Sequence, residues 1–242
     1  MHVYYRFSDS TNGGTSKPRP EGFCKRKVFE NFMRVFSTSN IHVIADRVRS
    51  DTADWLRAKC SDVEVTNIGN GGDSTCWAFE RALKECSLGD TVYFCEDDYW
   101  HIDAAEAVLL EGLTLAHYAT LYDHPDKYMN GPNPFIQYEG EVTLVRRTPS
   151  VHWKYTNSTT LTFATTYEVL RQDHEILKKH CGDGKSHDFQ VFCELIKKGR
   201  HLVSPMPGYS THIHIPWITP EFDNIIKEAF MKKTLKNISF AK

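Results

Sequence analysis

The chain has 242 residues, of which 40% are apolar and 25% charged, enough to bury one full hydrophobic core. Its 29 basic and 31 acidic side chains leave a formal net charge of −2, which excludes nucleic acid or an anionic membrane as a partner held by overall charge. No stretch approaches the roughly 20 apolar residues of a bilayer-crossing helix, and Met1 to Arg6 lacks the layout of a secretory signal, so the sequence reads as cytosolic, with reduced cysteines.

In chain order, His2 to Phe7 reads as a strand and the glycine- and proline-rich Ser8 to Gly22 as a loop. Phe29, Phe32, Met33 and Phe36 recur at helical spacing, so Lys25 to Phe36 is expected to be a helix with that face on the core. Ile41 to Ala45 is a second strand ending at Asp46, and Asp51 is expected to cap a helix through Lys59. Val63 to Thr66 is a third strand. Asn67 to Asp73 is a glycine-rich turn, with Ser74 the expected cap of a helix to about Cys86. Thr91 to Cys95 then reads as a buried strand, followed directly by Glu96-Asp97-Asp98. Strands and helices alternating at this spacing imply a mostly parallel sheet covered by helices, with ligand-binding loops at the carboxyl ends of the strands.

The second half is less regular. Ile102 to Leu115 looks helical, Thr120 to Pro134 has the composition of a binding loop, and Glu141 to Arg146 and Thr159 to Thr165 read as strands. Helices are expected over Tyr167 to His180 and Asp188 to Lys198, a loop over Pro205 to Tyr209, and a terminal amphipathic segment over Pro220 to Thr234.

Three adjacent carboxylates at a strand end repel one another unless a cation or a set of donors stands among them. One solution is a divalent metal holding a phosphorylated ligand, since hard cations take carboxylate oxygens. The other is a solvated acidic turn.

A leading strand, an aspartate closing the second strand, a glycine turn opening a helix and an acidic triplet after a hydrophobic strand resemble the nucleotide-sugar half of a GT-A, DXD-type glycosyltransferase. Tyr4-Tyr5-Arg6-Phe7-Ser8-Asp9, Cys95-Glu96-Asp97-Asp98-Tyr99, the run Thr160 to Thr166, and Pro207-Gly208-Tyr209-Ser210-Thr211-His212 are similar to the small glycosyltransferase domains of large algal DNA viruses. The resemblance implies an α/β, Rossmann-like GT-A fold with a mostly parallel central sheet flanked by helices and a smaller mixed acceptor-side part. It implies one domain over 1–242, with a nucleotide-sugar-binding half (1–100), an acceptor-binding and catalytic half (101–219) and a C-terminal helical segment (220–242).

It also implies roles. Asp98 ligates Mn2+ or Mg2+, with Glu96 and Asp97 on the metal, its water or the ribose, and His212 a second protein ligand for which His214 is the rival. Asp46 accepts from the base or ribose, Gly71, Gly72 and Ser74 let the backbone approach the nucleotide, and Arg6 and Arg81 neutralise diphosphate charge. Asp188 is the base that takes the acceptor proton. His187 stands where a Glu is common and is the alternative base, which leaves inverting against retaining transfer open. Each of these has an ordinary structural use as well: a helix cap for Asp188, a turn for Asp46 and the glycines, surface pairing for the arginines. Aromatic residues in Tyr122 to Tyr138 and around Trp153 are candidates for stacking on sugar. The implied partners are a nucleoside diphosphate sugar, UDP-linked, and a glycan acceptor. A sugar nucleotidyltransferase and a noncatalytic nucleotide- or carbohydrate-binding module are the alternatives, the first because a parallel sheet with acidic strand ends also serves metal-assisted attack on an α-phosphate, although Ser8 to Gly22, with its glycines, Lys17 and Arg19, is no tight match to the glycine-rich basic loop such enzymes carry after the first strand.

Overall fold

The computed structural model describes residues 1–9, 17–136 and 138–231. Strand β1 (His2–Phe7) is buried on both faces, Val3, Tyr5 and Phe7 in one core cluster and Tyr4 in the other. That two-sided burial belongs to a strand inside a parallel sheet. It pairs in parallel with β2 (Asn40–Asp46) on one side and β4 (Thr91–Glu96) on the other, and β2 pairs in parallel with β3 (Val63–Thr66). Helices α1 (Lys25–Val35), α2 (Ser50–Arg57) and α3 (Gly71–Glu85) make the crossovers.

Beyond β4 the sheet continues through β9 (Phe163–Thr166), β6 (Tyr118–Ala119), β10 (Leu202–Met206), β8 (His152–Thr156) and β7 (Val145–Arg147), in the order β3-β2-β1-β4-β9-β6-β10-β8-β7. Only β8 and β9 run against β1, so seven of the nine strands point the same way. A small antiparallel ribbon joins β5 (Tyr99–His101) to β11 (Ser210–His212). Helices α1, α2 and α4 (Ala105–Leu113) cover one face through Phe29, Phe32, Leu56 and Leu109. The other face is covered by α3, α5 (Tyr167–Cys181) and α6 (Asp188–Lys197), through Phe79, Leu177 and Phe192. Helix α7 (Asp223–Met231), through Ile226 and Phe230, and Phe222 just before it pack on Val28 of α1.

Several local expectations change. Helix α2 starts at Ser50, which puts Asp51 inside the first turn, paired with Arg26 and Arg49. The carboxylate of Asp9 instead accepts from the Arg49 backbone N–H at 2.7 Å and from Thr52 Oγ1 at 3.1 Å. Helix α3 starts at Gly71, capped by Asn70, whose side chain accepts from the Asp73 N–H at 2.8 Å, so Ser74 lies within the helix. The strand expected over Glu141 to Arg146 is only Val145–Arg147, and that over Thr159 to Thr165 starts at Phe163. The Thr159 hydroxyl is engaged with Thr120 and that of Thr160 with Tyr99, away from any ladder. Part of the loop expected over Pro205 to Tyr209 is strand β10. Pro205 is tolerated there because β6 pairs only with Leu202 and Val203, leaving Pro205 a neighbour on one side alone.

Residues 10–16 of the expected first loop, residue 137 and the end of the expected terminal helix, 232–234, lie outside the described residues. Among the described residues no helix is long and apolar enough to cross a membrane, and none of the seven cysteines is in a disulfide.

At Gly72, helix α3 packs closely on the turn that leads into α6. A Cβ there would lie 1.7 Å from the Lys185 carbonyl oxygen and 2.3 Å from that of Cys181. Gly72→Ala therefore forces α3 away from the turn that leads into α6, and overpacking against backbone costs about 1–3 kcal/mol. Urea unfolding should show that loss, and a midpoint equal to that of the unsubstituted chain would contradict it.

Candidate active site

The carboxyl ends of β1, β2 and β4 open onto a cavity of about 430 Å³ lined by Arg6, Asp46, Gly71, Ser74, Glu96, Asp97, Asp98, Asp188 and His212, with Lys17 at its edge. The parallel register accounts for the first members. Arg6 pairs with Ile44 on one side and Glu96 on the other, so the ends of three adjacent strands arrive together. Nine of the sequence-derived site residues thus share one cavity. Arg81 and His187 do not line it.

The triplet is resolved by protein cations. The Arg6 guanidinium is ion-paired with Glu96 and donates to the Gly71 carbonyl at 2.8 Å, tying β4 to the start of α3. Lys25, the first residue of α1, places Nζ 2.8 Å from Asp97, which also accepts from the Ser8 N–H at 2.8 Å. Asp98, 2% exposed, has Arg19 at 2.7 Å, His212 Nε2 at 3.0 Å and Lys17 at 3.5 Å from its Oδ2.

These pairings set opposite titration behaviour on neighbouring acids. Burial pushes Asp97 up from the ordinary carboxylate range, with Lys25 only partly opposing it and the Asp98 charge adding to it. Burial also acts to raise Asp98, but His212, Lys17 and Arg19 together hold it well below that range.

The motif around Thr160 to Thr166 supports this arrangement from β9: Thr162 Oγ1 accepts from the Glu96 N–H at 3.4 Å. The run Pro207 to His212 brings β11 across, with the Tyr209 and Ser210 N–H groups donating to the Leu121 carbonyl at 2.8 and 3.0 Å. The His212 ring stacks on Tyr99, centroids 5.1 Å apart and planes at 6°. His214 does not line the cavity, and burial together with the charge of His212 lowers its pKa to about 4.

Asp188 opens α6 and lines the same cavity. Burial raises its pKa to about 6, with Glu96 and then Asp126 adding like-charge repulsion, although the N–H groups at the start of the helix oppose the shift. His187 immediately before it is exposed.

Other expected residues are committed to the fold. Both oxygens of Asp46 accept backbone N–H groups, from Ile68 at 2.6 Å and Gly69 at 3.0 Å, which shapes the turn before α3. Arg81 lies among Asp62, Glu64 and Glu85, because one turn of α3 per 3.6 residues carries it to the other end of that helix from Gly71. Trp153 is fully buried against the core and offers no face to a sugar. The exposed aromatic rings of the 122–138 loop are Tyr128, Phe135 and Tyr138. Lys25 is a site residue that sequence reasoning took only as a helix start. The signal was its charge in the segment after β1, facing an acidic triplet on the adjacent strand.

The metal that the GT-A resemblance implies can be tested against these donors. Among the described residues Asp98 Oδ1 is buried with no hydrogen-bond partner, and His212 Nε2 stands 3.0 Å from Asp98 Oδ2, so an oxygen and an imidazole nitrogen, a donor set suited to Mn2+, are both present. Those two residues fit. Glu96 is turned to Arg6, and Lys17 and Arg19 are paired with Asp98 Oδ2, so an ion there would have to displace them.

No protein-family model matches the chain, and no curated protein does. Among solved structures, a nucleotide-diphospho-sugar transferase from Desulfovibrio desulfuricans G20 is 9% identical and aligns over 84% of this chain and 78% of its own, with a TM-score of 0.50. The galactosyltransferase LgtC, solved with donor and acceptor sugar analogues, is 9% identical over 84% and 73% at a TM-score of 0.47. The 4-diphosphocytidyl-2C-methyl-D-erythritol synthase of Anaerococcus prevotii DSM 20548 is 12% identical over 95% and 94% at 0.48. The chain has the GT-A type of α/β fold, with a large, mostly parallel sheet between helices.

Lys25→Met tests the charge pairing. Removing one partner of a buried pair costs about 3 kcal/mol, and here it strands Asp97. A buried carboxylate whose folded pKa lies above its unfolded value destabilises most above that folded pKa, and the penalty fades as pH falls and the group takes up a proton. Urea melts should therefore show a larger loss at pH 7 than at pH 5; equal losses would contradict the pairing.

Proposed function

We propose that this protein is a metal-dependent glycosyltransferase moving a sugar from a nucleoside diphosphate sugar, UDP-linked, to a hydroxyl of a glycan, with inversion at the anomeric carbon. One observation carries the reading: a single cavity holds one carboxylate kept ionised, Asp98, and another, Asp188, kept near neutral pKa. Two acids pushed apart in this way suit an anchoring role and a proton-accepting role.

In the mechanism, Asp98 and His212 would hold the divalent ion, which would supply positive charge to the departing diphosphate. The backbone at Gly71 and the Ser74 side chain border the nucleotide, and Asp46 keeps the adjoining turn in place. Arg6 holds Glu96 against α3. Asp188 accepts the acceptor's hydroxyl proton as the acceptor oxygen bonds to the anomeric carbon and the bond from that carbon to the diphosphate oxygen breaks. The products are the glycoside and a nucleoside diphosphate.

A sugar nucleotidyltransferase is the second reading, because Lys17, Arg19 and Lys25 all come from the segment after β1 and all reach the triplet. Release of pyrophosphate from a nucleoside triphosphate would establish it in place of transfer. A thermal-shift panel of nucleoside diphosphate sugars with and without Mn2+ identifies the donor, since a ligand raises apparent stability as ln(1 + [L]/Kd).

Asp98→Asn should abolish Mn2+-dependent release of nucleoside diphosphate while leaving the far-ultraviolet circular dichroism unchanged. Retained turnover would remove the metal reading. The base must be deprotonated, so kcat/KM should fall about tenfold per pH unit below about 6. Asp188→Asn should lower kcat by roughly 10²- to 10⁴-fold and remove that acid limb. A variant that keeps the limb would move the base elsewhere.

A further inference from the structure

At the other end of the sheet, where β1 and β2 begin, a second set of potential ligands converges. His2, Cys86 and Asp90 each offer one ligand atom, all within 4.8 Å of one another, and His42, Asp62 and Glu85 form an adjoining set of the same kind. They come from separate elements: His2 from β1, Cys86 from the end of α3, and Asp90 from the turn before β4. His2 is four residues from Arg6 along β1, roughly 13 Å at 3.3 Å per residue, so this cluster is separate from the cavity.

The hydrogen bonds fix what His2 presents. Arg81 Nη2 contacts both oxygens of Asp62 at 2.7 Å, leaving that carboxylate an acceptor only. In the neutral pair, His42 Nδ1, 2.5 Å from Asp62, therefore carries the proton, and His42 Nε2 accepts. His2 Nδ1, 3.0 Å from that nitrogen, donates to it. His2 Nε2 is then a bare lone pair.

That lone pair faces Asp90 Oδ1 at 3.9 Å, too far for a hydrogen bond and repulsive as it stands. The other oxygen of Asp90 is taken by the Ser87 N–H at 2.8 Å and the Ser87 hydroxyl at 3.0 Å. A lone pair, a carboxylate oxygen and a thiol around one gap call for a cation. Two ligand atoms on a tetrahedral ion with bonds of about 2.0 Å stand about 3.3 Å apart, so the 3.9 Å span must close by about 0.6 Å on binding, and the partly exposed side chains of His2 and Asp90 leave a way in.

We propose that His2 Nε2, Asp90 Oδ1 and Cys86 Sγ form a Zn2+ site, with water in the fourth position. Nitrogen, sulfur and oxygen together select a borderline transition metal over Mg2+ or Ca2+. Cys86, whose thiol now contacts the Tyr4 hydroxyl at 3.4 Å, releases its proton on binding. His42 and Asp62 act behind His2 as the outer partners that orient a metal-bound imidazole. The ion clips β1, α3 and the start of β4 together and is independent of the ion held at Asp98.

Chelator-stripped protein titrated with Co2+ tests this. One equivalent should produce thiolate-to-cobalt charge-transfer absorption that Zn2+ abolishes, and Zn2+ alone should raise the melting temperature. Cys86→Ser should lose the absorption, and Asp90→Asn should weaken binding with the thiol intact. His42→Ala should lower affinity about 10- to 100-fold. Circular dichroism checks that each variant is folded. Absence of the band in the unsubstituted protein, or an equal band in Cys86→Ser, would overturn the site. Turnover by Asp98 and Asp188 is read separately and does not depend on this outcome.

Discussion

Everything at the candidate active site depends on the neutralisation of three adjacent carboxylates at the end of β4. Glu96, Asp97 and Asp98 are kept close by the turn between β4 and β5, and the burial of Asp98 beside its two partly buried neighbours sharpens their mutual repulsion. Each is answered by a different cation: Arg6 within β1, Lys25 at the start of α1, and Lys17 with Arg19 in the segment between them. The acids and their partners are far apart in sequence but adjacent in space, because β1 and β4 are neighbours in the sheet. The acidic strand end is therefore as much a constraint on how the chain closes as it is a site.

The same environment separates acids that are chemically alike. Asp98 is held ionised because three cationic or imidazole groups outweigh its burial, whereas among the described residues Asp188 has no such partner and is pushed up by burial and by Glu96. The contrast between those two side chains is what gives the cavity a chemical direction. It is set by packing: Gly72 lets α3 press on the turn before α6, and Asp188, which opens α6, lines the same cavity as the triplet.

The elements that were legible in the sequence are those whose signal is local. The two-sided apolar run of β1, the aromatic spacing of α1 and the strand before the acidic triplet are found with their boundaries close to expectation. Strands β5, β10 and β11 were not legible. β5 and β11 are three residues each, and β10 contains Pro205, so neither length nor propensity marks them; they exist because a partner strand passes alongside. Arg81 was misplaced for a related reason. Its charge suits a diphosphate, but helix geometry turns it toward Asp62 and Glu85 at the opposite end of α3.

By itself the sequence determined the alternation of strand and helix, the position of the acidic triplet at a strand end, and the set of polar residues from which a site is built. Those features follow from side-chain periodicity and from charge, which act over a few residues. Only the tertiary structure decided that His212 rather than His214 faces Asp98, that Asp188 faces inward while His187 is exposed, and that Asp46 holds a turn. Those outcomes rest on which strand ends meet and on how far each carboxylate is withdrawn from water, and both are properties of contacts between residues remote along the chain.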